Sequence, residues 1–511
     1  MSNSTLDTLL RRYETRNSRN NLLNYENISM NHSKLERESN KFAEFLIKLG
    51  VKKGERVIIM LELNIETIVA IFGIIKTGAI YVPLDENMKK ENVDYVLQLV
   101  TPSVCIYDKK YEYNFEMYQG IKVVYGTKQR EHYNFENYKN LEGVFEKRKL
   151  ISKDIVYIIF TSGTTGHPKG VMVNHKAIIT FLEHVVCNHY HGKLVRSLCR
   201  TPIAFDPFLT EVLPSVISGG QVYIQNRNVG LKSFLKFLEE KRITNFGCGP
   251  ALLLLFKSNI NVVKKYDLSA LHDIYIGYEK CPVSVIKFLM EEYPHINFIN
   301  GYGTTETFAA STFHFISTED LDNENGIAIG TPINNVEIYV VNREGKLAQN
   351  GEVGELVVRG DTVFAGYWND EEKTSRQLRK NPFFNTGNEL VYYTGDLAKR
   401  DEKNNIFFVG RKDDQVKING YRVELGEIQN VVEQNRKVKE CCVLLIHDKL
   451  VCFYNTYTKE KIEQELATLC KKKLVKYKWP KEYIYIDTFG RNHNGKIDRK
   501  ELREGYVKAE I

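Results

Sequence analysis

The sequence predicts an α/β protein built as a large N-terminal domain of layered α/β subdomains plus a β-rich module, followed by a small α+β C-terminal domain. Three observations carry this. Short apolar runs bounded by glycine alternate with amphipathic segments of helical period through most of the chain. From about Asn335 the texture changes to strands joined by tight Gly/Asn turns. The charged turn GRKDDQ, Gly410 to Gln415, then sets off a last segment of about a hundred residues, which is the size of a small domain. The expected division is 1–411 and 412–511.

In chain order, VIIMLE (57–62), KVVYG (122–126), DIVYIIFTSG (154–163), QVYIQ (221–225), NFGCGP (245–250) and DIYIGYE (273–279) read as short buried strands. LKSFLKFLEEKR (231–242) and PVSVIKFLMEEY (282–293) have helical periodicity. Strand and helix alternating in this way predicts parallel sheets. NVEIYVV, GEVGELVVRG and NIFFVGRKDDQVKING supply the β-rich module. The most apolar long stretch, IVAIFGIIKTGAIYVPLD (68–85), is broken by Lys76 and Gly78; it is too short for a bilayer span and reads as a buried helix followed by a strand.

A chain of 511 residues exceeds one compact core, and 43% hydrophobic with 26% charged residues is ordinary globular composition. The net charge of +7 is spread along the chain, and the densest cluster, KKKLVKYK (471–478), reads as a solvated helix face. Nucleic-acid binding is not expected, because neither a dense basic stripe nor a binding module is present. The nine cysteines form no C-x-x-C pair, so free thiols in a reducing compartment are expected, with CCVLLI (441–446) as a buried strand. The first residues lack the apolar core of a signal peptide, so the expectation is a soluble, cytoplasmic protein with no membrane partner.

Four stretches carry chemistry. TSGTTGHPKG (161–170) follows an apolar strand, and its glycines and hydroxyls suit an anion nest to which Lys169 adds a cation. NGYGTTE (300–306) offers Glu306, a carboxylate of the kind Mg²⁺ shares with phosphate oxygens, and Tyr302, whose ring could lie against a purine. YYTGDL (392–397) places Asp396 after a tight turn, where a carboxylate can accept two ribose hydroxyls. GRNHNGKID (490–498) has the G-x-x-x-x-G-K spacing of a P-loop, but Ile497 stands where that motif needs Ser or Thr.

Taken together and in order, IKTGAIYVPLD, YIIFTSGTTGHPKGV, FDPFLTEV, NGYGTTE, GELVVRG, YYTGDL, GRKDDQVKINGYRVELGEIQ and NGKIDRKEL resemble the core motifs of stand-alone amino-acid adenylation domains of nonribosomal peptide synthetases. These belong to the adenylate-forming superfamily with acyl-CoA synthetases and luciferases. The resemblance runs from about Ser29 to Leu502. It implies ATP and Mg²⁺. Thr161, Ser162, Gly163, Thr164, Thr165 and Gly166, with Lys169, would grip the β- and γ-phosphates. Tyr302, Thr305, Asp396, Arg411 and Lys417 would surround the nucleoside, and Glu306 the metal. Lys496, together with Lys169, would be catalytic, and the P-loop spacing around Gly490 is accidental. Asp413 would be the hinge on which the small domain turns, and Gly420 would leave room for a pantetheine arm.

By the same resemblance Asp206, in FDPF, would pair with the α-ammonium of an amino acid. The remaining pocket walls would be Pro207, Thr210, Gly247, Ile274, Ile276, Gly301, Ala309 and Ala310, with Lys496 closing the top. Such a lining implies a neutral, bulky side chain, because a charged one would keep its desolvation cost. Thr304, Tyr278 and the triplet Gly490-Arg491-Asn492 depart from the family pattern without removing a required group. With no carrier or condensation motif in the sequence, the implied acceptor is the phosphopantetheine thiol of a separate acidic carrier protein, in antibiotic or other secondary-metabolite synthesis. The alternative is an acyl- or aryl-CoA ligase using free CoA.

Overall fold

Two large, mainly parallel sheets organise the longer part of the chain, as the alternation of apolar runs and amphipathic segments requires. The structure is a computed structural model, which describes residues 4–14, 21–127, 133–161, 167–277, 279, 282–383, 389–412, 415–418, 420–491 and 497–509. The chain divides into two compact units. The larger comprises Met1–Glu86, Val96–Phe160 and Gly170–Lys412; the smaller comprises Asn87–Tyr95, Thr161–Lys169 and Asp413–Ile511.

One sheet has eight strands, with Arg56–Met60 flanked in parallel by Ile80–Pro83 and Val104–Asp108. Its apolar run 68–85 is a helix, Ile65–Thr77, and then the strand Ile80–Pro83, with Gly78 ending the helix at φ +74°. Lys76 does not break that helix. Its ammonium is buried and bonded to Glu36, Ser39 and Asn40.

The second sheet has nine strands and carries most of the residues of interest. Gln221–Ile224, Arg196–Cys199, Asn245–Cys248, Asp273–Ile276 and Asn297–Tyr302 run parallel, and Thr312–Phe315 closes antiparallel on the last of them. Because successive side chains alternate across a strand, the sheet separates two cores. Phe246, Cys248, Ile274, Ile276 and Phe298 face one core with the helices Leu231–Glu240, Pro250–Ser258 and Val283–Glu292. Tyr275 and Phe313 pack against the other, which holds the apolar side of the helix Pro207–Ser218. The expected β-rich module is a five-stranded antiparallel sheet formed by Val336–Val341, Gly354–Gly360, Leu378–Lys380, Leu390–Arg400 and Ile406–Arg411.

The smaller unit has its own core around a three-stranded sheet, Val438–Ile446, Lys449–Thr456 and Glu482–Tyr485, with the helices Leu425–Val432 and Glu463–Lys473. Cys441 and Cys442 lie buried in its first strand, as expected for CCVLLI, and the cysteines among the described residues are free thiols. The lysine cluster 471–478 is only partly the solvated face expected. Lys478 is buried, and its ammonium donates to both oxygens of Glu427 at 2.7 Å. Among the described residues no helix is long and apolar enough to cross a membrane.

Candidate functional site

The glycine-rich loop joins the strands Ile155–Thr161 and Lys169–Asn174. Ser162, Gly163, Thr164, Thr165 and Gly166 lie outside the described residues, as do Asp413, Lys496 and Tyr278. Thr161 ends its strand with its Oγ1 buried and unpartnered among the described residues, and Lys169 is buried. Gly170 is required sterically, because a Cβ there would meet Ile158 Cγ2 at 2.7 Å. Lys417 sits in the hairpin of Gln415–Ile418 and Tyr421–Glu424, half-buried and opposite Arg422.

In the larger unit the structure brings three of the expected nucleoside residues together. Tyr302 ends a parallel strand and donates its hydroxyl to Asp396 Oδ2 at 2.5 Å. Asp396 and Arg411 are directly paired across antiparallel strands, and an Arg411 Nη1–H donates to Asp396 Oδ1. Gly395, at φ +76°, kinks the strand Leu390–Arg400 just before Asp396, and Thr394 Oγ1 accepts the Asp396 N–H. Asp396 is therefore buried between a cation and a phenol, the pairing a buried carboxylate needs. Burial and the neighbouring Asp396 hold the Tyr302 phenol well above its ordinary pKa, so it stays a donor.

Thr305 opens a single helical turn, Thr305–Thr307, in which Glu306 is fully buried. The Tyr367 hydroxyl donates to Glu306 Oε1 at 2.9 Å. One buried carboxylate with a hydrogen-bonded support is a donor set that fits Mg²⁺, which draws its other ligands from water and phosphate. After this turn the backbone enters the left-handed region twice in succession, at Phe308 (φ +48°) and Ala309 (φ +63°). Gly303 lies beneath that kink, where a Cβ would come within 2.2 Å of the Ala309 carbonyl oxygen. The strained turn presents the Ala309 N–H to Asp206 Oδ2 at 3.0 Å.

Asp206 is nine-tenths buried at the N-cap of the helix Pro207–Ser218, with Pro207 at its first position, where a missing N–H costs nothing. Thr210 spends its hydroxyl on the Pro207 carbonyl (2.8 Å). The segment leading into Asp206 is clamped by Glu211. Its Oε2 accepts the N–H groups of Arg200 (2.8 Å) and Thr201 (3.0 Å), and its Oε1 the Thr201 hydroxyl (2.7 Å).

Two expected pocket walls do not join the others. Gly247 is directly opposite Tyr275, and Gly301 opposite Phe313, so these four residues share one sheet face. Ile274 and Ile276 are 2% and 1% exposed in the core on the opposite face. A one-residue shift reverses every side chain of a strand, and the residues on the face of Gly247 and Gly301 are Tyr275 and Gly277. Ala310 and Ala309 remain on the turn described above. Cβ atoms built on Gly247 and Gly277 would meet only a carbonyl oxygen each, at 4.0 and 3.6 Å, so among the described residues this strip of sheet is open.

With this geometry in view, comparison with known proteins is direct. The chain matches the family described as AMP-binding enzyme over residues 10–368. It belongs to that family. Gramicidin S synthase 2 of Brevibacillus brevis is 32% identical over 489 residues, covering 94% of this chain but 10% of that protein. The chain thus spans about a tenth of that relative. Holo-PA1221, described as an NRPS protein containing adenylation and PCP domains, superposes with a TM-score of 0.81 at 20% identity over 98% of this chain and 84% of its own. An o-succinylbenzoate CoA synthetase from Bacillus subtilis does so with 0.82 at 20% identity over 98% and 99%. At these identities the structural matches speak for the fold alone.

In this AMP-binding enzyme, sequence reading missed Tyr275, Gly277, Phe313 and Glu211. Period-two alternation could have found the first two, because once Gly247 and Gly301 are assigned to a face the strand between them must offer 275 and 277. Glu211 lies one turn beyond Asp206 on its helix and had no motif to announce it.

Proposed function

We propose that this chain joins the carboxylate of an amino acid to ATP, forming aminoacyl-AMP and pyrophosphate, and then passes the acyl group to the phosphopantetheine thiol of a separate carrier protein. The observation that carries the amino-acid reading is Asp206. It is a buried carboxylate held by the Ala309 N–H, on the side of the nine-stranded sheet where Gly247 and Gly277 leave an open strip. An α-ammonium is a cation of the kind that a buried carboxylate can pair with.

The substrate carboxylate is ionised at neutral pH, so its attack on the α-phosphorus needs no general base. One carboxylate oxygen bonds to the α-phosphorus as the bond to the bridging β-phosphate oxygen breaks, and pyrophosphate leaves. What the reaction requires is alignment and charge compensation. Asp396 with Tyr302 and Arg411 fixes the ribose. Lys169 and the glycine-rich loop receive the phosphates. Lys496, by the family resemblance, bridges the carboxylate and α-phosphate. Glu306 would hold Mg²⁺, which would supply charge neutralisation on the phosphates. The thiol then attacks the acyl carbon and AMP leaves.

The test is amino-acid-dependent ATP–pyrophosphate exchange across L- and D-amino acids, aryl acids and fatty acids. Exchange with amino acids is expected. Asp206→Asn, which keeps an oxygen for the Ala309 N–H, should raise the amino-acid KM by about 30-fold or more with the ATP KM unchanged, from loss of a charge-assisted contact. Exchange only with acids lacking an α-amine, unaffected by Asp206→Asn, would overturn the reading in favour of a CoA ligase.

A further inference from the structure

Tyr275 stands on the sheet face beside the open positions over Gly247 and Gly277, half-buried rather than sealed in the core. Its hydroxyl lies 3.2 Å from Nδ1 of His189 and has no other hydrogen-bond partner among the described residues. His189 is itself immobilised. It caps the helix His175–Asn188, its N–H donating to the Val185 carbonyl, and it is 2% exposed. Its ring sits edge-on to Phe313, with centroids 4.8 Å apart, and 5.3 Å from Phe315. Phe313 in turn lies over Gly301, where a Cβ would meet its ring at 3.3 Å. A phenol has one donor and two acceptor sites, and His189 engages only one of them.

We propose that His189 is a positioning residue that fixes the Tyr275 hydroxyl toward the substrate side chain, and that the site selects a neutral amino acid whose side chain carries a hydroxyl or amide over its hydrocarbon isostere. This rests on the amino-acid reading above. A hydrocarbon side chain laid along Gly247 and Gly277 covers the phenol without answering its remaining hydrogen-bonding capacity. A side chain with a hydroxyl or carboxamide answers it. The His189 partner keeps the phenol from turning away to satisfy itself elsewhere. Sites built to bond a polar group reject the analogue that lacks it far more strongly than apolar sites reject an added methylene.

The experiment is ATP–pyrophosphate exchange with isosteric pairs: asparagine and leucine, glutamine and methionine, threonine and valine, tyrosine and phenylalanine. Wild-type enzyme should favour the polar member of its best pair by on the order of 10- to 100-fold in kcat/KM. Tyr275→Phe should reduce that preference to about threefold or less, leaving the ATP KM unchanged. His189→Phe should also erode it, through the amino-acid KM rather than kcat, and His189→Asn, which returns a polar atom near the Nδ1 position, should restore most of it. A merely structural role for His189 would lower activity with both members of a pair alike, and that outcome overturns the proposal. So does a wild-type preference for the hydrocarbon member, or a polar preference that survives Tyr275→Phe. Exchange with no amino acid at all would instead overturn the amino-acid reading, and this inference with it.

Discussion

Glu211 offers a sharp test of how the fold presents Asp206. Its carboxylate accepts three hydrogen bonds, two from backbone N–H groups and one from a hydroxyl, within the segment that leads into Asp206. Burial raises its pKa, against the hydrogen bonds from Thr201 and Arg200, which lower it. In Glu211→Ala all three bonds are lost and two backbone donors are left with no acceptor. At roughly 1–1.5 kcal/mol each, that is about 3–4 kcal/mol of local stability. In Glu211→Gln the amide oxygen can still accept both N–H groups, while the amide nitrogen donates to the Thr201 hydroxyl in reversed sense. All three contacts persist, and the loss should stay under about 1 kcal/mol. Equilibrium urea unfolding reads the stability difference, and amino-acid KM in the exchange assay reads its effect on Asp206. The Ala variant should lose up to several hundred-fold in amino-acid KM if the disorder is expressed there, at about 1.4 kcal/mol per tenfold. Equal damage from Gln and Ala would refute the reasoning, because it would mean that the negative charge itself is the working feature.

Other consequences can be checked in parallel. Lys496→Ala should reduce adenylation by at least about 100-fold while largely sparing thioester formation from preformed aminoacyl-adenylate, since charge compensation is needed only in the first step. Equal loss in both half-reactions, followed by single-turnover kinetics, would remove that assignment. Tyr302→Phe takes a donor from buried Asp396, and should cost about 1.5–3 kcal/mol without nucleotide and less with AMP bound, whose ribose hydroxyls can replace it; urea midpoints with and without AMP measure both. His175 and His189 are held neutral by burial, each with its pKa pushed down to about 4. Unfolded, each titrates near 6.5, so the unfolded chain binds more protons below that pH. Their contribution is intact above pH ~6.5 and is lost as pH falls toward 4, at most about 3 kcal/mol for each. Urea midpoints between pH 7 and 4.5 should fall, and His175→Gln should flatten the slope.

Much of the site was legible because its chemistry sits in contiguous motifs. Asp206 caps a helix, Glu306 lies in a helical turn and Asp396 follows Gly395, and local sequence dictates these placements. The strands and helices were legible for the same reason, since period two and period 3.6 are local properties. What the sequence could not disclose depends on neighbours far along the chain. The family resemblance implies Ile274 and Ile276 as pocket walls, yet the register with Gly247 and the apolar face of Val283–Glu292 turn them into the other core. Lys478 reads as one more surface lysine until Glu427, 51 residues away, is found bonded to it. The left-handed pair Phe308 and Ala309 gives no warning either, because neither is a residue type that favours that conformation.

The row of glycines along the sheet also divides into positions that evolution can edit and positions it cannot. A side chain at Gly303 would collide with the Ala309 carbonyl, and one at Gly301 would press on Phe313. At Gly247 and Gly277 an added methyl meets nothing closer than 3.6 Å among the described residues. On the function proposed above, substrate size would be trimmed one carbon at a time at these two neighbouring positions, leaving untouched the turn that holds Asp206. An enzyme built this way can change what it accepts by a single base change in its gene, and it offers the engineer the same two handles.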